Sequence, residues 1–308
     1  MYFKNFKNYF FLFRFDHSIK QIFVIPGIVL ALFFGMKTSL FNILVGLTSI
    51  QLAASSNYII NEWLDRNFDK YNPKKKFRPS VIGTVSKKNV YLIYFFNSIL
   101  TIYLSSLIGL YFLYLIIFFL FMGIVYNVKP FRAKDIQYLD IFVESINNPI
   151  RLLLGYFIFN TSMLLPSSII IFYWSAGAFL MTCKRYAEYN SLDRDILIKY
   201  RKSFKGYNIN KLLLLIFFTS LLSISMLTVF MIKYKIEFIF FIIAVICLYI
   251  YYLSISLEPN SSVQNIDHLY NNKYIYLIIF FCLIVFVFSA SINLDELKIL
   301  EKRIQLNY

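Results

Sequence analysis

The stretch Asn61-Glu62-Trp63-Leu64-Asp65-Arg66-Asn67-Phe68-Asp69 holds the residues whose types and spacing could do chemistry. It directly follows an apolar run. On a helix that continues through it, residues four apart lie about 40° apart around the axis. Asn61, Asp65 and Asp69 then share one face. An amide oxygen and two carboxylates on one face suit a hard cation such as Mg2+, which keeps several waters and prefers sites completed by substrate phosphates. A site of that kind would hold a diphosphate. The plainer alternative is a helix end entering water with its Asp residues solvated. Like charges at i,i+4 destabilise a helix unless something neutralises them. Lys74, Lys76, Arg78 and Pro79 follow closely, and cations beside a metal-diphosphate stabilise the leaving group.

The elements that must position these residues are apolar. The chain has 308 residues, 59% hydrophobic and only 15% charged, too little polar surface for a soluble domain. Several stretches approach the roughly 20 apolar residues that a spanning helix needs. Hydropathy predicts nine spans, near 19–36, 40–60, 89–108, 111–127, 138–160, 167–184, 212–232, 236–256 and 274–292. An all-α polytopic membrane protein follows, since lipid-exposed backbone must satisfy its own hydrogen bonds. The segments lack the period-two alternation of a barrel. Neither linker nor second domain is visible, so residues 1–308 read as one integral membrane domain.

The net charge of +15 would suggest nucleic acid in a soluble protein. Here Lys and Arg gather in the loops 61–88, 128–137 and 184–211, while the opposite loops carry few charges, such as Lys37, Lys233 and Lys235. The positive-inside rule places the long loops in the cytoplasm, so the partner is the lipid bilayer and no nucleic acid is expected. The mixed-charge tail 293–308 then lies outside. Cys183, Cys247 and Cys282 are too scattered for a disulfide framework or a zinc site. No cleavable signal peptide is visible, and the first span is expected to act as a signal anchor. His17 and His268 lack partners at ligand spacing and receive no role. Pro26 and Gly27 in the first span could distort it locally, with packing the favoured reason for them.

At this point the residues resemble a known pattern. The UbiA prenyltransferase superfamily carries Asn-Asp-x-x-Asp-x-x-x-Asp at the end of its second helix, then a basic stretch ending in Arg-Pro and a short run to Gly. This chain reads Asn61-Glu62-x-x-Asp65-x-x-x-Asp69, then Lys76-Phe77-Arg78-Pro79, then Gly83. Only Glu62 departs, and it keeps the charge. The resemblance implies a nine-helix bundle around a central cavity open to the membrane and capped by cytoplasmic loops, with Mg2+ as cofactor.

Most prenyltransferases of the superfamily carry a second motif, Asp-x-x-x-Asp, after the sixth span, for a second Mg2+. This chain reads Lys184-Arg185-Tyr186-Ala187-Glu188 there. Asp193 and Asp195 follow at a spacing unsuited to one helical face. The departure resembles the branch that transfers 5-phosphoribose from phosphoribosyl diphosphate to a polyprenyl phosphate, which shows Lys-Arg-x-x-Glu at this place. Arg14 and Lys20 match that branch's N-terminal Arg and Lys. Tyr200-Arg201-Lys202 with Tyr207 resembles its Arg-rich stretch, and Asp140 and Arg151 resemble an Asp and an Arg of its fifth span.

An anionic acceptor and a donor with a further 5-phosphate both call for Lys and Arg, which Arg14, Lys20, Arg151, Lys184 and Arg185 could supply. Arg151 lies deep in a span, where a charge is costly and usually functional. The alternative is a pair with a nearby acid such as Glu144. For Lys184 and Arg185 the alternative is ordinary positive-inside bias. The expected roles are these: Asn61, Asp65 and Asp69 hold Mg2+; Lys76 and Arg78 hold the departing diphosphate; Arg14, Lys20 and Lys184 hold the lipid phosphate. Tyr186 lines the sugar pocket, and Glu188 binds a ribose hydroxyl or a second cation. A prenyltransferase joining a prenyl diphosphate to an aromatic or other small acceptor is the second reading. A transporter is a remote third, since its broken helices would need more Gly and Pro at the midplane. By resemblance the enzyme would face the cytoplasm at a bacterial plasma membrane and serve cell-envelope biosynthesis.

Overall fold

The computed structural model describes residues 8–73, 75–234, 236–258, 261, 263 and 272–294. Lys74, Lys235, His268 and the tail from residue 295, and the side chains of Asp16 and His17, lie outside that description. No strand occurs among the described residues. The α-helices are α1 (Ile25–Phe33), α2 (Leu40–Asp69), α3 (Lys87–Ser106), α4 (Leu110–Asn127), α5 (Leu139–Ser145), α6 (Asn147–Phe157), α7 (Ser167–Ser191), α8 (Arg194–Tyr200), α9 (Ile209–Tyr234), α10 (Ile239–Leu257) and α11 (Lys273–Ser291). Each of the nine apolar stretches carries helix. Four helical segments among the described residues are long and apolar enough to cross a membrane: Leu40–Asp69, Leu110–Asn127, Ile209–Tyr234 and Ile236–Leu257. Many of their large side chains face outward, among them Leu44, Phe121, Leu214, Phe217 and Ile250. Such a surface is expected where the surroundings are lipid.

Two of the predicted spans are interrupted. In the first, a 3-10 helix over Phe15–Val24 precedes α1, whose first turn contains Pro26. In the fifth, α5 ends at Ser145 and α6 restarts at Asn147. Pro149 sits in the first turn of α6. Proline has no N–H to donate and crowds the preceding turn, so it is tolerated there and not in a helix interior.

The chain divides into two compact units. The first comprises Met1–Leu165 and Asp193–Tyr207; the second comprises Pro166–Leu192 and Asn208–Tyr308. In the first, the Ser39 and Ser86 hydroxyls cap α2 and α3 by accepting from the Asn42 and Asn89 amides, which satisfies otherwise unpaired donors. Small and polar residues bring helices close. Asn97 of α3 donates to the Leu52 carbonyl at 2.7 Å and the Ser56 hydroxyl at 2.8 Å on α2. A Cβ on Gly27 of α1 would collide with the Leu152 carbonyl of α6, and one on Gly155 with the Val24 carbonyl. Gly27 is therefore a packing residue, as the sequence suggested. An apolar cluster of Leu12, Ile59, Trp63, Val85 and Val90 packs the C-terminal half of α2.

In the second unit, Phe179 of α7 stacks on Tyr249 of α10 with centroids 4.4 Å apart. The Tyr249 and Ser223 hydroxyls are 2.7 Å apart and share a hydrogen bond between α10 and α9.

Candidate functional site

The second helix does not stop at the end of its apolar run. It is continuous for 30 residues to Asp69, about 45 Å at 1.5 Å per residue, so its last turns extend beyond a hydrocarbon core of roughly 30 Å. Asn61, Asp65 and Asp69 therefore occupy one face, as their spacing predicts.

Asp65 and Asp69 open onto a small pocket whose other walls are Phe68, Arg132, Lys134, Asp135, Tyr200 and Arg201. Each aspartate is met by two cations. Asp65 Oδ1 lies 2.5 Å from Lys134 Nζ and 2.9 Å from Arg132 Nη2. Asp69 Oδ2 lies 2.5 Å from Arg78 Nη1, and its Oδ1 lies 3.8 Å from Lys75 Nζ. Asn61 donates to Asn127 Oδ1 at 2.5 Å, and the same oxygen accepts from Lys134 at 2.7 Å. Asn127 thus joins the amide to the ammonium.

The basic walls come from two loops. Arg132 sits in the left-handed region with φ 34°, which a non-glycine residue adopts at a cost. That backbone is fixed by its side chain, which bonds Asp65, Asp135 Oδ2 at 2.9 Å and the Asn127 carbonyl at 3.0 Å. Burial pulls Lys134 down to about 8, against the pull of Asp65 in the other direction. Burial also pulls on Arg78, but the Asp69 and Glu62 carboxylates override it and hold the guanidinium above its usual value. Tyr200 receives the Lys75 ammonium on its hydroxyl, and Arg201 donates to the Tyr126 hydroxyl at 3.1 Å.

Glu62, at the position where the pattern has Asp, does not enter the pocket. It is buried, and its carboxylate accepts from the Ser80 hydroxyl at 3.1 Å. That bond ties the basic loop back to α2.

The other residues singled out from the sequence lie elsewhere. Lys76 is exposed, with its ammonium 5.0 Å from the Phe77 ring centroid, so the structure does not bring it to the pocket. Arg14 precedes the first 3-10 helix in a left-handed conformation, and Lys20 lies over the Tyr58 ring. Arg151 is buried over the Phe119 ring at 5.2 Å, with a long bond to the Asn147 carbonyl at 3.4 Å and, among the described residues, no partner for Nε. The pair with Glu144 that would have explained it does not form. In the second unit Arg185 and Glu188 are both buried and form an ion pair at 2.8 Å on α7, while Lys184 and Tyr186 are half-buried. Glu188 is thus already bound by a cation.

Among the described residues no group of three His, Cys, Asp or Glu side chains could by itself hold a metal. The donors on α2 are nevertheless all oxygens on one face. That fits Mg2+, which takes one or two carboxylates and completes its shell with water and substrate phosphates.

Residues 21–273 match the UbiA prenyltransferase family, and the chain belongs to it. It is a multi-pass membrane protein of that family's fold. A UbiA homologue from Archaeoglobus fulgidus bound to GPP and Mg2+ superimposes with a TM-score of 0.70 at 20% identity, covering 90% of this chain and 99% of that one. The homologue bound to DMAPP and Mg2+ gives 0.70 at 18% identity, covering 92% and 99%. A curated relative, protoheme IX farnesyltransferase of Sulfolobus acidocaldarius, is 28% identical over 174 residues, 55% of this chain. The chain spans 58% of that relative's length.

Proposed function

We propose that the protein is a Mg2+-dependent membrane transferase that moves 5-phosphoribose from phosphoribosyl diphosphate to a polyprenyl phosphate. The observation that carries the reading is the closed Arg185–Glu188 pair at 2.8 Å. A second metal-binding acidic motif of the ordinary prenyltransferases would need open carboxylates there. This chain offers Lys184, Arg185 and a Glu188 already neutralised, which favours phosphate over a second metal.

In this reading Asn61, Asp65 and Asp69 hold the metal with the donor diphosphate. Bound there, Mg2+ neutralises charge on the leaving group. Asp65 would hold the metal in place of its ammonium partner, and Lys134, Arg132, Arg78 and Lys75 would meet the diphosphate oxygens. Lys75 takes the place that the sequence assigned to Lys76. Arg14, Lys20, Arg151 and Lys184 receive the remaining phosphates, and Tyr186 the sugar. An oxygen of the acceptor phosphate forms a bond to C1 of ribose as the C1–diphosphate bond breaks, and diphosphate leaves with the electron pair. The acceptor is already anionic, so no general base is required; orientation and charge stabilisation carry the rate. The Lys and Arg of loops 61–88, 128–137 and 184–211 support a cytoplasmic pocket; the reading sets it in a bacterial plasma membrane, with a phosphoribosyl lipid for envelope polysaccharide as product.

Prenyl transfer to a small acceptor is the second reading, favoured by the name of the Sulfolobus relative and by the GPP in the Archaeoglobus structure. The two are separated by incubating membranes that contain the protein with Mg2+, polyprenyl phosphate and radiolabelled phosphoribosyl diphosphate, beside Asp65→Ala membranes. Label in the extracted lipid with the intact protein alone supports phosphoribosyl transfer. No label, with product from a prenyl diphosphate and an aromatic acid, overturns it in favour of prenyl transfer.

A further inference from the structure

We infer that Asp140 is a positioning residue that anchors the segment 193–207 so that Tyr200 and Arg201 line the acidic pocket. The inference rests on the proposed transfer only for what the pocket turns over; the anchor itself is independent of it.

Asp140 stands in the first turn of α5 and is fully buried. A buried carboxylate without partners is costly, and Arg201, Ser203 and Tyr207 of one short stretch supply partners. Ser203 Oγ donates at 3.0 Å and the Tyr207 hydroxyl at 2.7 Å, and Arg201 Nη1 lies 3.9 Å away. The Tyr207 hydroxyl also accepts from the Tyr138 amide at 2.7 Å, and the two tyrosine rings meet edge to face with centroids 5.6 Å apart. Phe204 and Tyr207 are buried beside the carboxylate-bonded hydroxyls.

The helices on either side of this segment, α7 and α9, belong to the second unit, whereas 193–207 belongs to the first. Contacts within the first unit therefore help to place it, and Asp140 adds a buried charge to the bonds that Lys75 makes to Tyr200 and Arg201 makes to Tyr126. Asp140 does not itself line the pocket. It acts through Arg201, whose guanidinium it balances, and through Tyr200 one residue earlier. Asparagine cannot replace it fully. The new amide donor could be accepted by the Ser203 hydroxyl but would face the Arg201 guanidinium, which would lose the Asp140 charge and keep that of Asp65.

The test is limited trypsin digestion of the purified full-length protein in lipid nanodiscs, read at Lys199, Arg201, Lys202 and Lys205. Phosphoribosyl transfer by the same samples is measured beside it. Asp140→Asn should speed cleavage in this segment by about fivefold, since a docked segment opens less often than a released one. It should lower kcat by about tenfold or more, because small misplacements are costly. Asp140→Asn combined with Arg201→Ala should lose less transfer than the two single losses multiplied together, because part of the Asp140 effect runs through Arg201. Unchanged cleavage, or losses in transfer that multiply in full, would overturn the anchor. Should Asp140→Asn fail to accumulate, Ser203→Ala and Tyr207→Phe each remove one hydroxyl and should raise cleavage by about twofold; no rise in either overturns the proposal. If the wild-type protein transfers no phosphoribose, the cleavage rates still decide the anchor, and the failure falls on the proposed donor instead.

Discussion

Lys134 Nζ stands 2.5 Å from Asp65 Oδ1 and 2.7 Å from Asn127 Oδ1, so a cation of the protein holds the carboxylate that a metal is expected to take. The site is thus pre-loaded with the charges that a metal-diphosphate would rearrange. Lys134→Met should lower kcat/KM by about 100-fold to 1,000-fold, the usual cost of one donor to a developing anion. It should also tighten Mg2+ binding measured directly by titration, because a competitor for Asp65 is gone. Unchanged kinetics would remove Lys134 from the leaving-group site.

Glu62 is expected to behave differently from Asp65 despite lying in the same motif. Its carboxylate bonds Ser80 and is buried away from the pocket. Glu62→Ala removes the carboxylate that the Ser80 hydroxyl and amide share, leaving the hydroxyl only the residue-62 carbonyl, and should cost about 1–3 kcal/mol of stability. Thermal unfolding would register that loss, while the Mg2+ concentration for half-maximal activity stays in place. A shifted Mg2+ requirement would make Glu62 a ligand after all.

The Arg185–Glu188 pair gives a stability experiment. Glu188→Ala removes the carboxylate paired with a buried guanidinium and should destabilise the protein by about 3–5 kcal/mol. The double change Arg185→Met with Glu188→Leu replaces the pair by apolar groups and should recover most of that loss. Transfer should stay low in the double variant if Arg185 or Glu188 also meets substrate; recovery of both stability and transfer would make the pair purely structural.

Gly155 lies where α6 meets the first 3-10 helix, with the Val24 carbonyl in the space a Cβ would need. Gly155→Ala must push two backbones apart and should cost about 1–3 kcal/mol, the usual range for overpacking. An unchanged melting temperature would show that this contact tolerates a methyl group.

How far the sequence reveals this site follows from what kind of signal each residue leaves. Asn61, Asp65 and Asp69 sit on one uninterrupted helix, so their spacing alone places them on a common face. The breaks at Ile25 and Ile146 are harder to read, because hydropathy reports apolarity and not whether the backbone ladder is continuous; Pro26 and Pro149 were the local clues. Arg132, Lys134, Tyr200 and Arg201 reach Asp65 and Asp69 only through loop geometry. In the sequence, Arg132 and Lys134 look like any positive-inside loop residues, and nothing local distinguishes Lys75, which reaches Asp69, from Lys76, which is exposed beside Phe77. The stretch from Tyr200 to Tyr207 could be picked out as basic and aromatic, but its attachment to Asp140 depends on long-range contacts.

The most direct measurement offers the purified protein both kinds of donor at once. Phosphoribosyl diphosphate and a prenyl diphosphate are supplied at equal concentration with Mg2+, polyprenyl phosphate and an aromatic acid, and the products are read by mass spectrometry beside diphosphate release. The account predicts polyprenyl phosphate heavier by one phosphoribosyl group, one diphosphate released per product, and neither with Asp65→Ala. A prenylated acid, with polyprenyl phosphate left unchanged, would contradict it.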